Sequence, residues 1–390
     1  MIYMDNAATS FPKAPGVPEA VAHYLSDIGA SPGRGGHQLG RQASGIVQEA
    51  REGIARFFNA PEARHVVFTL NLTEAINLAL NGFLREGDHV VTTSVEHNAV
   101  MRPLRHLEKD HRIDLTVLPC HAEGCIDLQD LREEIRPDTA LVVINHASNV
   151  LGSVQPLGEI GKLVEDIPLL VDAAQTGGII PIDFEAYNIS MLAFSGHKSF
   201  MGPPGVGGLI IREGLERRLE PLIRGGTGSR SEDEDQPDFC PDRYESGTPN
   251  TAGLAGFNKA LAFVESTGTQ VILRHELELM GHLLDGLRQI DGVQVHGPRG
   301  LQNRVPLVSL SVKGVDNAIL GQLLWQEFNI ATRVGLHCSP AAHLTAGTYP
   351  AGTVRLSPGY FSTEGEVNQV LEAIASVVTL PGKVSSPSSS

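Results

Sequence analysis

Apolar positions along this chain fall into two kinds of run that alternate. Short β-branched segments at 65–69, 90–93, 115–118, 140–144, 169–171 and 191–194 read as buried strands. Between them lie amphipathic stretches. In 43–58, Ile46, Val47, Ala50, Ile54, Phe57 and Phe58 recur at helical spacing, and further helices are expected over 75–83 and from beyond Asn98 to about Lys109. Asn71 or Thr73 is placed to cap the helix over 75–83. Repeated strand and helix units predict an α/β fold with a largely parallel sheet covered by helices on both faces, whose ligands bind at the C-terminal strand ends. Polar residues crowd those ends: His97, Asn149, Asp172, Gln175 and Lys198.

After a further strand at 205–212 the pattern changes. Residues 222–250 are irregular and include the acidic run Glu232 to Asp235, which reads as a solvated loop. Helices over 251–264, 271–287, 317–328 and 366–378, with strands at 293–295 and 307–312, suggest a smaller α+β unit. The expected division is an N-terminal arm (1–15) lying with the small domain, a large domain (16–255), a small C-terminal domain (256–380) and a disordered Ser/Pro tail (381–390).

Composition narrows the partners. A net charge of −15 over 390 residues, without a Lys/Arg cluster, disfavours nucleic acid and anionic membrane surfaces. The start, Met1 to Asp5, carries no basic segment followed by an apolar one, and no apolar run is long enough to span a bilayer, so the expected compartment is the cytoplasm. Four cysteines (Cys120, Cys125, Cys240 and Cys338) are too few and too irregular for a disulfide framework. Cys120 and Cys125 have no second ligand pair, so they read as ordinary thiols and no metal is expected.

The candidate chemistry centres on Ser195-Gly196-His197-Lys198, directly after an apolar strand. An amine held against low-dielectric walls is partly deprotonated and suited to Schiff-base chemistry. A pyridoxal 5'-phosphate enzyme needs such a lysine, a carboxylate for the pyridine nitrogen, a phosphate anchor and a ring covering one cofactor face. Here Lys198 would carry the aldehyde and Asp172 the pyridinium charge. Thr73 at a helix N-terminus, with Ser195 and His197, would hold the phosphate. His97 would stack on the ring, and Asn149 and Gln175 would bond its oxygen.

These segments together resemble the class V aminotransferase branch of fold-type I pyridoxal phosphate enzymes, and within it the NifS-like cysteine desulfurases. The resemblance runs from Asp5-Asn6-Ala7-Ala8 through Thr73-Glu74-Ala75-Ile76-Asn77, Glu96-His97-Asn98, Ser148-Asn149-Val150-Leu151-Gly152, Asp172-Ala173-Ala174-Gln175, Ser195-Gly196-His197-Lys198 and Ser246-Gly247-Thr248-Pro249-Asn250 to Arg355. It implies the PLP-dependent transferase fold, with a seven-stranded-type sheet and a smaller C-terminal domain. It also implies a homodimer in which Thr248 of one subunit reaches the phosphate held by the other. Arg333-x-Gly335-x-His337-Cys338 looks like the segment bearing the persulfide-forming nucleophile, where arginine and imidazole would favour thiolate. Arg355 matches the substrate-carboxylate anchor, with Asn149, Asn6 and Ala7 also on the substrate.

The implied reaction takes L-cysteine to L-alanine, with Lys198 and His97 at the cofactor and sulfur leaving as a persulfide on Cys338. The short interval from Cys338 to Arg355 resembles the subgroup that hands sulfur to a dedicated acceptor protein, as in iron–sulfur cluster assembly. Leu336, where that subgroup often has a second histidine, and the loop Gly225 to Ser229 with its acidic follow-on depart from the pattern. Rival readings on the same scaffold are a selenocysteine lyase, an aminotransferase or a kynureninase-like enzyme. From a different class comes a non-catalytic scaffold or sulfur relay that binds the cofactor structurally.

Overall fold

A computed structural model describes residues 1–33 and 36–379, so the expected tail (381–390) lies outside the described residues. The chain begins with β1 (Ile2–Tyr3), α1 (Val17–His23), α2 (Gln38–Phe57), β2 (Val66–Thr69), α3 (Leu72–Phe83), β3 (Asp88–Thr93) and α4 (Asn98–Lys109). It continues through β4 (Ile113–Leu118), α5 (Leu128–Glu134), β5 (Thr139–Asn145), α6 (Leu157–Val164), β6 (Leu169–Asp172), β7 (Met191–Ser195) and β8 (Gly207–Ile211). Next come α7 (Thr251–Thr267), α8 (Thr269–Gln289), β9 (Val293–His296), β10 (Val308–Val312) and α9 (Asn317–Phe328). Last are β11 (Ile330–Ala331), β12 (Arg333–Gly335), α10 (Pro340–Thr345), β13 (Thr353–Leu356) and α11 (Glu364–Thr379).

The large sheet has seven strands in the order β2-β8-β7-β6-β5-β3-β4. Its central strands are apolar on both faces because both are covered. Val142 and Ile144 pack with Ile54, Phe58 and Phe257, whereas Leu141 and Val143 pack with Ile76, Leu80 and Leu104 from α3 and α4. The pairs from β4 to β7 are parallel, but β8 runs antiparallel to both β7 and β2. The connection over 196–206 contains no helix, and so short a link returns the chain only as an antiparallel neighbour. Five parallel strands therefore end along one edge, at Thr93, Leu118, Asn145, Asp172 and Ser195.

A second sheet, β12-β13-β10-β9, is wholly antiparallel and is covered by α8, α9 and α11 through Leu283, Leu324, Ile374 and their neighbours. The chain start belongs to this unit at first, since β1 pairs in parallel with β11 and Met4 is buried in the same core. It then crosses to the large sheet, where Ala7 and Ala14 pack near Ile179 and Met201. The expected boundary between 255 and 256 falls inside α7, whose Leu254, Phe257 and Leu261 belong to the large-sheet core. We place the division at Gly268, which separates α7 from α8 with φ +88°, a value that favours glycine. Among the described residues no helix is long and apolar enough to cross a membrane.

Candidate active site

The strand edge opens into a pocket with a void of about 470 Å³, lined by Asn71, Leu72 and Thr73 of the α3 start, His97, Asn145, Ala147, Asn149, Asp172, Ala174, Gln175, Ser195, His197 and Lys198. The α3 start reaches the sheet because position 207 is glycine. A Cβ there would lie 2.6 Å from the Asn71 carbonyl carbon. Asn71, not Thr73, caps the helix, its Oδ1 accepting from Glu74 N (3.0 Å), which leaves the exposed Thr73 hydroxyl in the pocket wall.

Lys198 follows the end of β7 by three residues. Burial draws its amine down from 10.5 to about 8; Asp172 opposes this and Arg355 and Arg333 add to it. Asp172, at the end of β6, is buried, and desolvation raises its pKa although Ala174 N donates to Oδ1 (2.8 Å) and Lys198 pulls it down. His97 caps α4, its Nδ1 accepting from Ala99 N (3.0 Å), so the proton of the neutral ring sits on Nε2. Burial and then Lys198 keep it neutral, with a pKa lowered to about 4. Beside it Glu96 is fully buried, Oε1 accepting from Thr93 Oγ1 (2.7 Å) and Asn145 N (2.9 Å). Burial pushes its pKa up to about 8, so it is a neutral acid at pH 7.

His197 turns its Nδ1 to Thr9 Oγ1 (3.0 Å), and its carbonyl accepts from Ser10 N, Thr9 Oγ1 and Lys13 Nζ. The arm thus grips the lysine-bearing turn. Gln175 Nε2 donates to the Ala7 carbonyl (3.0 Å). Asn6 and Ala7 line an adjoining void of about 450 Å³ shared with Gln175, Lys198 and Glu276. Asn6 is held by Ser357 O (3.0 Å), and Ala7 N donates to Ser357 Oγ (2.9 Å).

Arg355 on β13 is 2% exposed, with one guanidinium nitrogen donating to the Asn149 carbonyl (2.9 Å) and the other to Asp5 Oδ1 (3.0 Å). Its Nε is buried with no partner among the described residues. Asp5 also reaches Arg333 (3.5 Å), which follows β11 and flanks the Cys338 turn. Cys338 is exposed and, like His337, has positive φ (+60° and +48°), which costs a non-glycine residue about 1–3 kcal/mol.

Several expectations change. Asn149 lines the pocket, but its side chain is engaged by the Cys338 turn, Nδ2 donating to the His337 carbonyl (2.7 Å) and Oδ1 accepting from Ser339 Oγ (2.7 Å). His337 supplies no positive charge to Cys338. It is buried, bonded through Nε2 to Thr353 Oγ1 (3.1 Å), and desolvation, followed by Arg355, holds its pKa far below the usual value. Thr248, which the resemblance assigns to the other subunit's phosphate, lies outside the Lys198 pocket of its own chain. It is exposed, and lines a separate concavity of about 1960 Å³ that includes Arg51, Glu245 and the Thr69-Leu70 approach to α3. Asp5, Ser339, Thr9 and Glu276 were not anticipated; only Asp5 carried a signal, standing at the head of the Asp5-Asn6-Ala7-Ala8 segment. Cys120 and Cys125 flank a tight turn, and among the described residues no group of three or more His, Cys, Asp or Glu is arranged to hold a metal ion.

A strand-end lysine facing a buried aspartate on a seven-stranded α/β sheet, closed by a small antiparallel unit, is the fold-type I architecture of enzymes that work through a lysine-borne carbonyl. The chain belongs to the aminotransferase class-V family, whose model matches residues 2–370. A probable cysteine desulfurase of Methanothermobacter thermautotrophicus is 34% identical over 384 residues, covering 96% of this chain and 94% of the relative. The cysteine desulfurase IscS of Vibrio campbellii is 34% identical over 396 residues, covering 97% of this chain and 93% of that protein. The apo structure of a cysteine desulfurase from Thermococcus onnurineus superimposes with a TM-score of 0.91 at 32% identity, covering 97% of this chain and 94% of that one.

Proposed function

We propose that this chain is a pyridoxal 5'-phosphate-dependent cysteine desulfurase that converts L-cysteine to L-alanine and takes the sulfur as a persulfide on Cys338. The observation that carries this reading is an exposed cysteine on a turn tethered to the wall of the same pocket that holds Lys198. The pocket residues fit the cofactor. A partly neutral amine at Lys198 suits an aldehyde, the buried Asp172 carboxyl suits a protonated ring nitrogen, and the α3 N-terminus with Thr73, Ser195 and His197 suits a phosphate. His97 would lie against the ring as a neutral imidazole, and Gln175 would face its oxygen. When bound, the cofactor supplies an aldehyde for the amine and a sink for the electrons left at the substrate α-carbon.

The chain's own groups do the rest. Arg355, with its unpartnered Nε, binds the substrate carboxylate and fixes the amino acid beside Lys198. Lys198 Nζ, near its neutral form at pH 8, takes the α-proton. Cys338 Sγ attacks the substrate sulfur: an S–S bond forms as the substrate Cβ–S bond breaks, and Cβ keeps the electron pair and gains a proton, so that alanine leaves. The exposure of Cys338 suits later transfer of sulfur to an acceptor protein.

Thr248 supports a homodimer. It is exposed and lies outside its own lysine pocket, and a second copy is the route by which it would reach a phosphate at α3. Replacing Cys338 with Ala should abolish alanine release from L-cysteine while the bound cofactor keeps its visible absorbance. Full activity in that variant refutes the assignment.

A further inference from the structure

Asn149 stands at a junction. It is 6% exposed and belongs to the pocket wall, yet its side-chain atoms are engaged outside the pocket, by the His337 carbonyl and by Ser339 Oγ. Its main-chain carbonyl holds Arg355. One residue therefore touches the lysine pocket, the carboxylate-binding arginine and both chain neighbours of Cys338. A second tether runs in parallel: Asn98 N, next to His97, donates to the Cys338 carbonyl (2.8 Å).

The turn held in this way is strained, with His337 and Cys338 both left-handed. Ser339 occupies the N-cap position of α10 but makes no capping bond, its hydroxyl donating to Asn149 instead. A strained turn kept in place by a few hydrogen bonds changes shape when one of them is drawn away.

We propose that Asn149 is a positioning residue that couples occupancy of the lysine pocket to the conformation of the Cys338 turn. A substrate held at the free Arg355 Nε brings a polar group against the Asn149 side chain, where it competes for the amide that holds the turn. That competition loosens the hold on His337 and Ser339, so the nucleophile is rigid in the empty site and adjustable once substrate is present. This rests on the reading of Cys338 as nucleophile.

The test uses the holoenzyme. Alkylation of Cys338 by iodoacetamide at fixed pH is followed by peptide mass spectrometry, with and without saturating L-alanine. L-alanine should raise the wild-type rate roughly fivefold, the factor one net hydrogen bond represents. Ser339→Ala should show a similarly raised rate without L-alanine and a response below about twofold, with the cofactor absorbance unchanged. Thr353→Val removes the partner of His337 Nε2 from the opposite side and should keep the wild-type response, whereas general loosening of the turn would flatten both variants alike. An unresponsive wild-type enzyme, a wild-type response in Ser339→Ala, or equal flattening in both variants overturns the coupling. Alanine release by Cys338→Ala would instead overturn the nucleophile assignment and leave this comparison standing.

Discussion

Stripped of cofactor, the protein presents Lys198 as an amine whose acidity the fold has changed. Enclosure in the pocket lowers its pKa from 10.5 to about 8, with Arg355 and Arg333 in the same direction and Asp172 and Cys338 against it. At pH 8 about half of the Lys198 amine is neutral, compared with about 0.3% of a solvated lysine, a gain on the order of 150-fold in the nucleophilic form. Mixing stripped protein with pyridoxal 5'-phosphate from pH 6 to 10 at constant ionic strength, and following the absorbance of the lysine-bound form, reads this directly. The rate should climb about tenfold per pH unit below the Lys198 pKa and level off near pH 8. Asp172→Asn removes the carboxylate that favours the charged amine, so its inflection should lie lower. A rate still climbing through pH 10, or an inflection displaced upward in Asp172→Asn, would refute the reasoning.

Glu276 of α8 is 6% exposed, and burial, opposed by a hydrogen bond from the Tyr360 backbone, pushes its pKa from 4.5 up to about 8. The unfolded chain releases this proton near pH 4.5 and the native chain near pH 8, so between those values the native state binds more protons and stability falls as pH rises. The slope is about 1.4 kcal/mol per unit and the whole window is worth on the order of 5 kcal/mol. Glu276→Gln cannot ionise, so its guanidinium midpoint should fall less between pH 5 and 8 at a fixed protein concentration; profiles parallel to wild type count against the assignment. Arg355→Lys cannot serve Asn149, Asp5 and a substrate carboxylate together. The KM for L-cysteine should rise about 10- to 100-fold with cofactor absorbance intact, and an unchanged KM would place the carboxylate elsewhere.

The large sheet was legible because strands covered on both faces leave unbroken apolar runs, as in Ala140 to Ile144 and Met191 to Phe194. The same edge logic picked out Lys198, Asp172 and Ser195, which line one pocket. The antiparallel course of β8 followed from a short connection, not from the strand's own residues. Strands as brief as β1 and β11, the helices α5, α6 and α10, and β12 and β13 beside the Cys338 turn carry too few residues to show a period. Side-chain partnerships were the least legible. Asp5 meets Arg355 across most of the chain and Asn149 meets Ser339 across about half of it, and nothing local records such pairings. Buried neutrality was likewise invisible: His337 reads as a basic neighbour of Cys338 until its ring is seen turned inward to Thr353.

The clasp between β1 and β11, followed by Asp5 on Arg355, has a bearing on synthesis. Residues 2–5 are synthesised well before their partners Ile330, Ala331 and Arg355. The last strand of the large sheet ends at Ile211, so all of its strands are also made before those partners. Lys198 is thus synthesised well ahead of Arg355, and the clasp that ties the chain start to the small unit closes only once both of its halves exist.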